Sequence, residues 1–238
     1  MADGIDFKIN GLLKDAREVA APVSEGLLAW HYTRGSVAEA VINFAPDGLP
    51  AQIVGAPDFS SAGFMRIDTG VDFMRLAAPE TAAFTWIVVF VNDDALTSST
   101  STQPVLASTS NGSSGAVMWL SNPAAGGLPA ARARAIVYST SGDALPTPIA
   151  NVTPLRAVAL RVSGATASIR EIAEGSEFEA SLSGSRTPSA RLVEIGGYYS
   201  AAFGGTCKIA AAIVYDHALS DEELTETLAF VMNDLADA

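Results

Sequence analysis

One stretch near the carboxyl end of the sequence constrains the fold more than any other. Residues 207–215, CKIAAAIVY, form a run of β-branched and small apolar residues, which is typical of a buried strand. Five residues after Tyr215, Ser220 occupies a helix N-cap position, and Glu223 completes an S-x-x-E capping box. The sequence therefore predicts a strand that passes through a tight turn directly into a capped helix.

The residues of this strand and helix also predict which faces are buried. Regular alternation places Ile209 on the same face of the strand as Ala211, Ile213 and Tyr215. The helix carries one apolar stripe, made by Leu224, Leu228, Val231 and Leu235. We therefore expect the helix to lie flat against a sheet.

The chain between residue 26 and this stretch shows the pattern of strands separated by polar, Gly- and Pro-containing loops. The strongest strand is predicted over residues 84–92, FTWIVVFVN, where both faces are apolar, as in a strand at the centre of a packed sheet. Further short strands follow with no helices between them. This pattern predicts an all-β sandwich or barrel.

The first 24 residues differ from the rest. Residues 5–9 alternate like a short strand, residues 12–20 have helical spacing, and Pro22 ends that segment. We expect residues 1–24 to form an N-terminal arm, or docking segment, and residues 25–238 to form the sandwich domain. The arm packs either on its own domain or on another subunit, and the second alternative predicts a homo-oligomer.

Composition argues against several classes of protein. The net charge of −12 disfavours binding to nucleic acid, which needs clustered Lys and Arg. Cys207 is the single cysteine and there are two histidines, so an intrachain disulfide and a Cys/His zinc site are excluded by count. The start lacks the pattern of a signal peptide, and the longest apolar run is too short to cross a bilayer. We expect a protein made in a cytoplasm, neither secreted by a signal peptide nor inserted in a membrane.

The segment IVYDHALSDEEL resembles the carboxyl-terminal signature of laminin-G-like domains, which belong to the concanavalin A-like lectin and glucanase jelly rolls. RLVEIGGYYSAAFGG, FTWIVVFVN and RAVALRVSGATASIRE resemble other family segments, in the family's order, so the likeness covers about residues 26–235. The sequence departs from the family at Ala210, where many members carry an acidic residue, and in lacking a clear Asn-Gly hairpin turn. The resemblance implies a jelly-roll sandwich of two antiparallel sheets with a C-terminal helix.

The opening of this region, GLLAWHYTRGSVAEAVINFAPDGLPAQIVGAPDF, is similar to laminin-G-like domains of bacteriophage virion proteins. This likeness implies a component of a phage tail or capsid, located in the virion after synthesis in the host cytoplasm. Its partners would then be other virion proteins, contacted through the N-terminal arm.

The sequence offers no catalytic constellation. Glucanase relatives on this fold use two carboxylates in an E-x-D-x-x-E motif, which is absent here. The nearest acidic cluster is expected to form a hairpin edge and loop; it comprises Glu171, Glu174, Glu177 and Glu179. A Ser/His/Asp triad would need His31 or His217, which we expect to be packed or surface residues. We therefore predict no catalytic residues and no enzyme activity.

A candidate carbohydrate site lies in the loop GGYYSAAFGG. Jelly-roll lectins hold sugars with aromatic platforms, and this loop presents Tyr198, Tyr199 and Phe203 between pairs of glycines. These rings either stack on a sugar, such as a host-surface glycan, or cap the edge of the sandwich. Trp119 is expected to belong to the core.

A candidate calcium site follows the central strand. Asn92, Asp93 and Asp94 offer oxygen ligands of the kind calcium prefers. The alternative is that Asn and Asp simply form a turn here.

Arginine gives a further clue to assembly. Most of the fourteen basic residues are arginine, and Arg132 and Arg134 fall on the same side of one predicted strand. They belong either to a subunit contact or to a solvated face.

Together these observations predict a non-enzymatic structural virion protein, associated with a tail or capsid, whose lectin-like fold offers a surface for host carbohydrate. The alternatives are a free bacterial carbohydrate-binding lectin and a divergent glycoside hydrolase.

Overall fold

The computed structural model describes residues 21–61, 63–92, 96, 99–121, 132–140, 143–146, 155–171 and 177–236. In chain order the strands of this part are β1 (Leu27–Tyr32), β2 (Gln52–Val54), β3 (Met65–Asp68), β4 (Phe73–Pro79), β5 (Phe84–Asn92), β6 (Val105–Ser108), β7 (Ala116–Ser121), β8 (Arg132–Val137), β9 (Asp143–Pro146), β10 (Arg156–Ser163), β11 (Thr166–Glu171), β12 (Glu177–Ser181), β13 (Leu192–Ile195) and β14 (Thr206–Tyr215). The α-helices described are α1 (Val37–Ala40) and α2 (Asp221–Ala236), and a short 3-10 helix spans Thr100–Thr102.

The strands form two antiparallel sheets. The first sheet has the order β1-β14-β5-β10-β11-β12, with β3 also pairing with β14. The second sheet has the order β2-β4-β13-β6-β7-β8-β9. Neighbouring strands are often far apart in sequence, as in a jelly roll, where chain order and spatial order differ. The prediction of an all-β sandwich of two antiparallel sheets followed by a helix is confirmed.

The inner core fills the space between the sheets. Strand β5 lies between β14 and β10, and its residues Phe84, Trp86, Val88 and Phe90 all face this core. The alternate positions Ile87 and Val89 face the other side of the first sheet and are also buried. The predicted central strand with two apolar faces is therefore confirmed.

A second core covers the outer face of the first sheet. Leu224, Leu228 and Val231 of α2 pack there against residues of β1, β5 and β14. Phe230 of α2 meets Trp30 of β1 edge to face, with ring centroids 5.7 Å apart. The first sheet is thus buried on both faces, as the apolar stripe of the helix predicted.

The start of α2 has the predicted capping box. The backbone N–H of Glu223 donates to the Ser220 hydroxyl at 3.3 Å, and the backbone N–H of Ser220 donates to the Glu223 carboxylate at 2.8 Å. The hydrogen bond from the Ser220 backbone holds the pKa of Glu223 below its ordinary value. Leu219 and Leu224 flank the box and are both buried, as in a hydrophobic staple.

Two local predictions are wrong. Strand β14 has a bulge between Ile209 and Ala211, so Ile209 faces the inner core while Ala211, Ile213 and Tyr215 face α2. An extra residue in one strand breaks the regular alternation on which the face prediction rested. The expectation of no helix between the strands fails at α1, a single turn capped by the Ser36 hydroxyl.

The amino-terminal segment is described only from residue 21, so the strand and helix predicted within residues 1–20 lie outside the described residues. Ala21 and Val23 pack against the second core. None of the described helices is long and apolar enough to cross a membrane.

Candidate functional site

The outer face of the second sheet carries a separate apolar cluster. On β7, Met118 and Leu120 face the inner core, so Val117 and Trp119 point outward. Ile136 of β8 lies opposite Val117 and belongs to the same cluster. Whereas α2 covers the first sheet, no described helix contributes to this cluster. The loop between β13 and β14 packs here instead.

Two glycines position that loop. Gly196 and Gly205 have φ angles of +83° and +97°, in the left-handed region that favours glycine. The Gly196 N–H donates to the Leu106 carbonyl at 3.3 Å, and a Cβ at position 196 would lie 2.4 Å from the Ile67 side chain. The chain can therefore turn back at both ends of the loop and fold over the sheet.

The loop places its rings in one contiguous cluster, which we call the aromatic face: Trp119, Tyr198, Tyr199 and Phe203. Ring centroids lie 4.5 Å apart for Tyr198 and Tyr199, 4.8 Å apart for Tyr198 and Phe203, and 5.4 Å apart for Phe203 and Trp119. Tyr199 is 43% exposed, Tyr198 and Phe203 are half-buried, and Trp119 is buried beneath them.

The structure thus brings together the three residues proposed as a carbohydrate platform. Trp119, which was expected to belong to the core, is also part of the aromatic face. The residue is buried, but on the outer face of the second sheet rather than between the sheets. Alternation along β7 places Trp119 on the face of Val117 and not on that of Met118, but it does not show which face points outward.

Tyr199 lies against the β6–β7 turn. A Cβ at Gly112 would lie 2.7 Å from the ring carbon and hydroxyl of Tyr199, so only glycine leaves room for the ring. The Asn111 side chain accepts hydrogen bonds from the backbone N–H groups of Ser113 and Ser114, at 3.0 and 2.9 Å. Asn111-Gly112-Ser113 is therefore a turn that supports the aromatic face.

The phenol of Tyr198 keeps its proton over a wide pH range. Burial, together with the neighbouring Tyr138 and Tyr199, raises its pKa well above the ordinary value. A neutral phenol can both donate and accept a hydrogen bond. The aromatic face therefore combines apolar ring surface with hydroxyl groups that suit polyhydroxylated ligands.

Arg134 borders the aromatic face. Its guanidinium carbon lies 5.7 Å from the centroid of the Trp119 ring, and the side chain is half-buried on the outer side of β8. Arg132 belongs to the same strand, as predicted. Whether these arginines form a subunit contact stays a prediction.

The predicted calcium ligands are placed only in part. Asn92 ends β5 and pairs in register with Cys207 at the start of β14. Asp93 and Asp94 lie outside the described residues. No group of three His, Cys, Asp or Glu side chains in the described part is arranged to hold a metal ion. The calcium site stays a prediction.

The described carboxylates of the acidic cluster considered for catalysis are divided between the two faces of the first sheet. Glu171 is buried, shares the inward face of β11 with Ile169 and pairs with Arg156 at 3.0 Å. Glu177 lies opposite Arg170 in register, on the other face, and pairs with Arg161 at 2.8 Å. Glu174 lies outside the described residues.

A polar cleft of about 290 Å³ lies on the first sheet beside this cluster. Arg161 and Glu179 line it, together with the hydroxyls of Ser163, Thr166 and Ser168. The Arg161 guanidinium is already bound to Glu177 and Asp221. None of the described residues that line this cleft is aromatic, so the aromatic face is the better candidate for a sugar.

The fold is similar to that of solved proteins. Trypanosoma rangeli sialidase in complex with sialic acid matches with a TM-score of 0.60 and 14% identity, over 90% of this chain and 34% of that chain. The receptor binding domain of botulinum neurotoxin C/D mosaic serotype matches with a TM-score of 0.63 and 8% identity, over 88% of this chain and 52% of that one.

This chain therefore spans about a third of the sialidase and about half of the toxin domain. At such low identity the similarity shows the fold alone, and it confirms the predicted sandwich of two antiparallel sheets. No protein-family model and no curated protein matches the chain.

Proposed function

We propose that this protein is a non-enzymatic, glycan-binding β-sandwich module that serves as a structural component of a bacteriophage virion. The glycan-binding role is proposed from the aromatic face, on which Tyr199 is 43% exposed beside the half-buried rings of Tyr198 and Phe203. Rigid amphipathic rings of this kind offer a large contact area at low entropic cost. A sugar ring would lie on Tyr199 with its hydroxyls near the Tyr198 phenol.

The similar structures support a recognition role. One is a sialidase solved with sialic acid, and another is a receptor binding domain. Fold alone does not determine function, so the glycan-binding role of this chain is proposed from the rings of its aromatic face.

The non-enzymatic part is supported by the positions of the carboxylates. Glycoside hydrolysis usually needs two carboxyl groups that flank one glycosidic bond. Glu171 and Glu177 lie on opposite faces of the first sheet, and each is paired with an arginine. Release of reducing sugar from a polysaccharide, abolished by Glu177→Gln, would overturn this part.

The virion part rests on the likeness of the opening segment to phage virion domains and on the predicted N-terminal arm. Its test is the presence of the protein in purified particles, detected by mass spectrometry. Glycan binding without particle association would overturn the virion role and favour a free lectin.

The glycan role is tested with purified full-length protein on an array of glycans and bacterial polysaccharides, with calcium and with a chelator. We expect Tyr199→Ala to weaken binding by about tenfold or more, because truncation of a central aromatic anchor commonly costs over 1 kcal/mol. Phe178→Ala is the matched control, since Phe178 is 41% exposed on β12 of the first sheet. Equal losses in both variants, or no binding to any glycan, would overturn the proposal.

A further inference from the structure

Arg134 has a guanidinium that the described structure leaves available to a ligand. It lies 5.7 Å from the centroid of the Trp119 ring and is partly exposed. In the part of the chain that the structure describes, no carboxylate forms an ion pair with it. Arginine in such a position usually pairs with an anion, because its planar fork matches the oxygens of a carboxylate or sulfate.

Among the described strand residues of this outer face, arginines outnumber carboxylates. Arg75 of β4 donates from Nε and one Nη to a single oxygen of Glu194, at 2.9 and 2.8 Å, and Arg191 donates to the other oxygen at 2.6 Å. Glu194 is almost fully buried, while both arginines are about one-third exposed. Two guanidinium groups thus surround one carboxylate, and Arg134 adds a third cation.

This local charge is opposite in sign to that of the whole chain, whose net charge is −12. An acidic polymer would be repelled by most of this protein and attracted to a locally cationic surface. These arginines make the outer face of the second sheet suitable for an acidic ligand.

Arg134 and the loop rings are linked through Trp119 in one chain of contacts. Arg134 contacts Trp119, Trp119 contacts Phe203, and Phe203 contacts Tyr198 beside the exposed Tyr199. Rings that bind the apolar face of a sugar are thus joined to a cation that can bind an acidic substituent.

We infer that the glycan recognised by the aromatic face is acidic, and that Arg134 binds its carboxylate or sulfate group. This inference rests on the proposed glycan-binding function and names the class of glycan. Arg134 acts as a specificity residue, whereas Tyr199 and Tyr198 provide the platform.

The test compares charged polysaccharides with neutral counterparts of the same backbone. Polygalacturonate is paired with its methyl-esterified form, and dextran sulfate is paired with dextran. We expect the full-length protein to bind at least one charged member about tenfold more tightly than its neutral counterpart, because hydrogen bonds to charged groups are stronger than those between neutral groups and a tenfold change in affinity corresponds to about 1.4 kcal/mol. A carboxylate preference or a sulfate preference supports the inference and identifies the acidic group.

Arg134→Gln should remove this preference, and Arg134→Lys should retain part of it because the charge remains without the fork. Arg170→Gln is the matched control. It makes the same change in charge on the first sheet, where Arg170 is hydrogen-bonded to Thr225 of α2. Equal loss of the preference in Arg134→Gln and Arg170→Gln would overturn the inference, because it would reflect net charge alone.

Tryptophan fluorescence gives a second measurement. Trp30 and Trp86 are fully buried in the two cores, so a ligand at this face should change the emission of Trp119. Unfolding midpoints of each variant check that the domain remains folded.

The outcomes separate the two claims. Neutral and charged glycans that bind equally, with binding lost in Tyr199→Ala and kept in Arg134→Gln, overturn the acidic specificity and leave the proposed function intact. Absence of binding to every probe and every glycan on the array overturns both.

Discussion

The phenolic hydroxyl of Tyr215 donates a hydrogen bond of 3.0 Å to the backbone carbonyl of Val23. The bond joins the end of strand β14 to the segment that precedes β1, and both residues are buried. Burial raises the pKa of Tyr215 to about 12, so the hydroxyl retains its proton and remains a donor. Residues 21–24, which the sequence analysis grouped with the N-terminal arm, therefore contact the sandwich.

This contact predicts different effects for two amino-terminal deletions. Removal of residues 1–20 should leave the free energy of unfolding nearly unchanged. Removal of residues 1–24 should lower it by about 2 kcal/mol, because the buried Tyr215 hydroxyl loses its acceptor and the Val23 side chain loses its burial. Urea unfolding measures both values.

Both deletions should abolish the self-association or particle attachment that we predict for the arm, as measured by sedimentation. An unfolded product after removal of residues 1–20 alone would show that the arm belongs to the core.

His31 predicts a loss of stability in mild acid. The side chain is fully buried, with its Nδ1 3.2 Å from the Ala40 carbonyl oxygen, and burial lowers its pKa from 6.5 to about 4. The unfolded chain therefore binds a proton between pH 6.5 and pH 4 that the folded chain excludes. This contribution is complete above pH 6.5 and is lost as the pH falls to about 4, for a total of about 3 kcal/mol.

The measurement is the free energy of unfolding from pH 7 to pH 4 for the wild type and for His31→Gln. The variant should show a shallower decline, because it lacks the titrating ring while the carboxylates remain. If the free energy of unfolding declines equally steeply in the wild type and in His31→Gln, the loss of stability in acid does not come from His31. His217→Gln serves as control, since His217 is on the surface beside Asp216.

Arg186 and Glu80 form a buried ion pair at the edge of the sandwich. The Glu80 carboxylate accepts hydrogen bonds from Arg186, from the Thr109 hydroxyl at 2.8 Å and from the Ser189 N–H at 2.7 Å. The Arg186 guanidinium also lies over the Phe84 ring, 4.6 Å from its centroid. These contacts fasten the segment before β13 to the inner core.

Arg186→Met should lower the free energy of unfolding by about 3–5 kcal/mol, because it leaves a buried carboxylate without its partner. The double variant with Glu80→Gln should recover part of this loss, since the uncompensated charge is gone. Thermal and urea unfolding would test both. If the double variant is no more stable than Arg186→Met, the uncompensated charge of Glu80 is not the cause of the lost stability.

The capping box predicts a smaller effect. Ser220→Ala should destabilise the domain by about 1 kcal/mol, because the N–H of Glu223 loses its acceptor at the start of α2. Ser181→Ala on the exposed edge strand β12 is the control and should be close to neutral. Urea unfolding of both variants decides the point, and equal values would contradict the role of the cap.

Calcium binding at Asn92, Asp93 and Asp94 predicts that calcium raises the unfolding temperature and that a chelator reverses the rise, because a ligand that binds only the folded state stabilises it. Asp93→Asn combined with Asp94→Asn should abolish the effect. An unfolding temperature that does not respond to calcium would contradict the calcium site and favour the alternative, that these residues form a turn.

Local patterns in the sequence predicted the main elements of this fold, although they missed the single turn of α1. The two apolar faces of β5, the capping box at Ser220 and Glu223, and the stripe from Leu224 to Leu235 depend on residues close together in the chain. Such patterns determine helix and strand directly, because backbone hydrogen bonding and burial repeat with a fixed period. The aromatic loop could also be predicted from the sequence, because Tyr198, Tyr199 and Phe203 lie close together in the chain between pairs of glycines.

Only the tertiary structure decided how these pieces meet. The bulge at Ile209, the outward position of Trp119 and the approach of Arg134 to its ring depend on β7, β8 and β14 finding partners far along the chain. Alternation along one strand shows which residues share a face, but it does not show which of the two faces points toward the opposing sheet. That choice is made by packing between distant segments, which here places Trp119 and Arg134 together on the outer face of the second sheet.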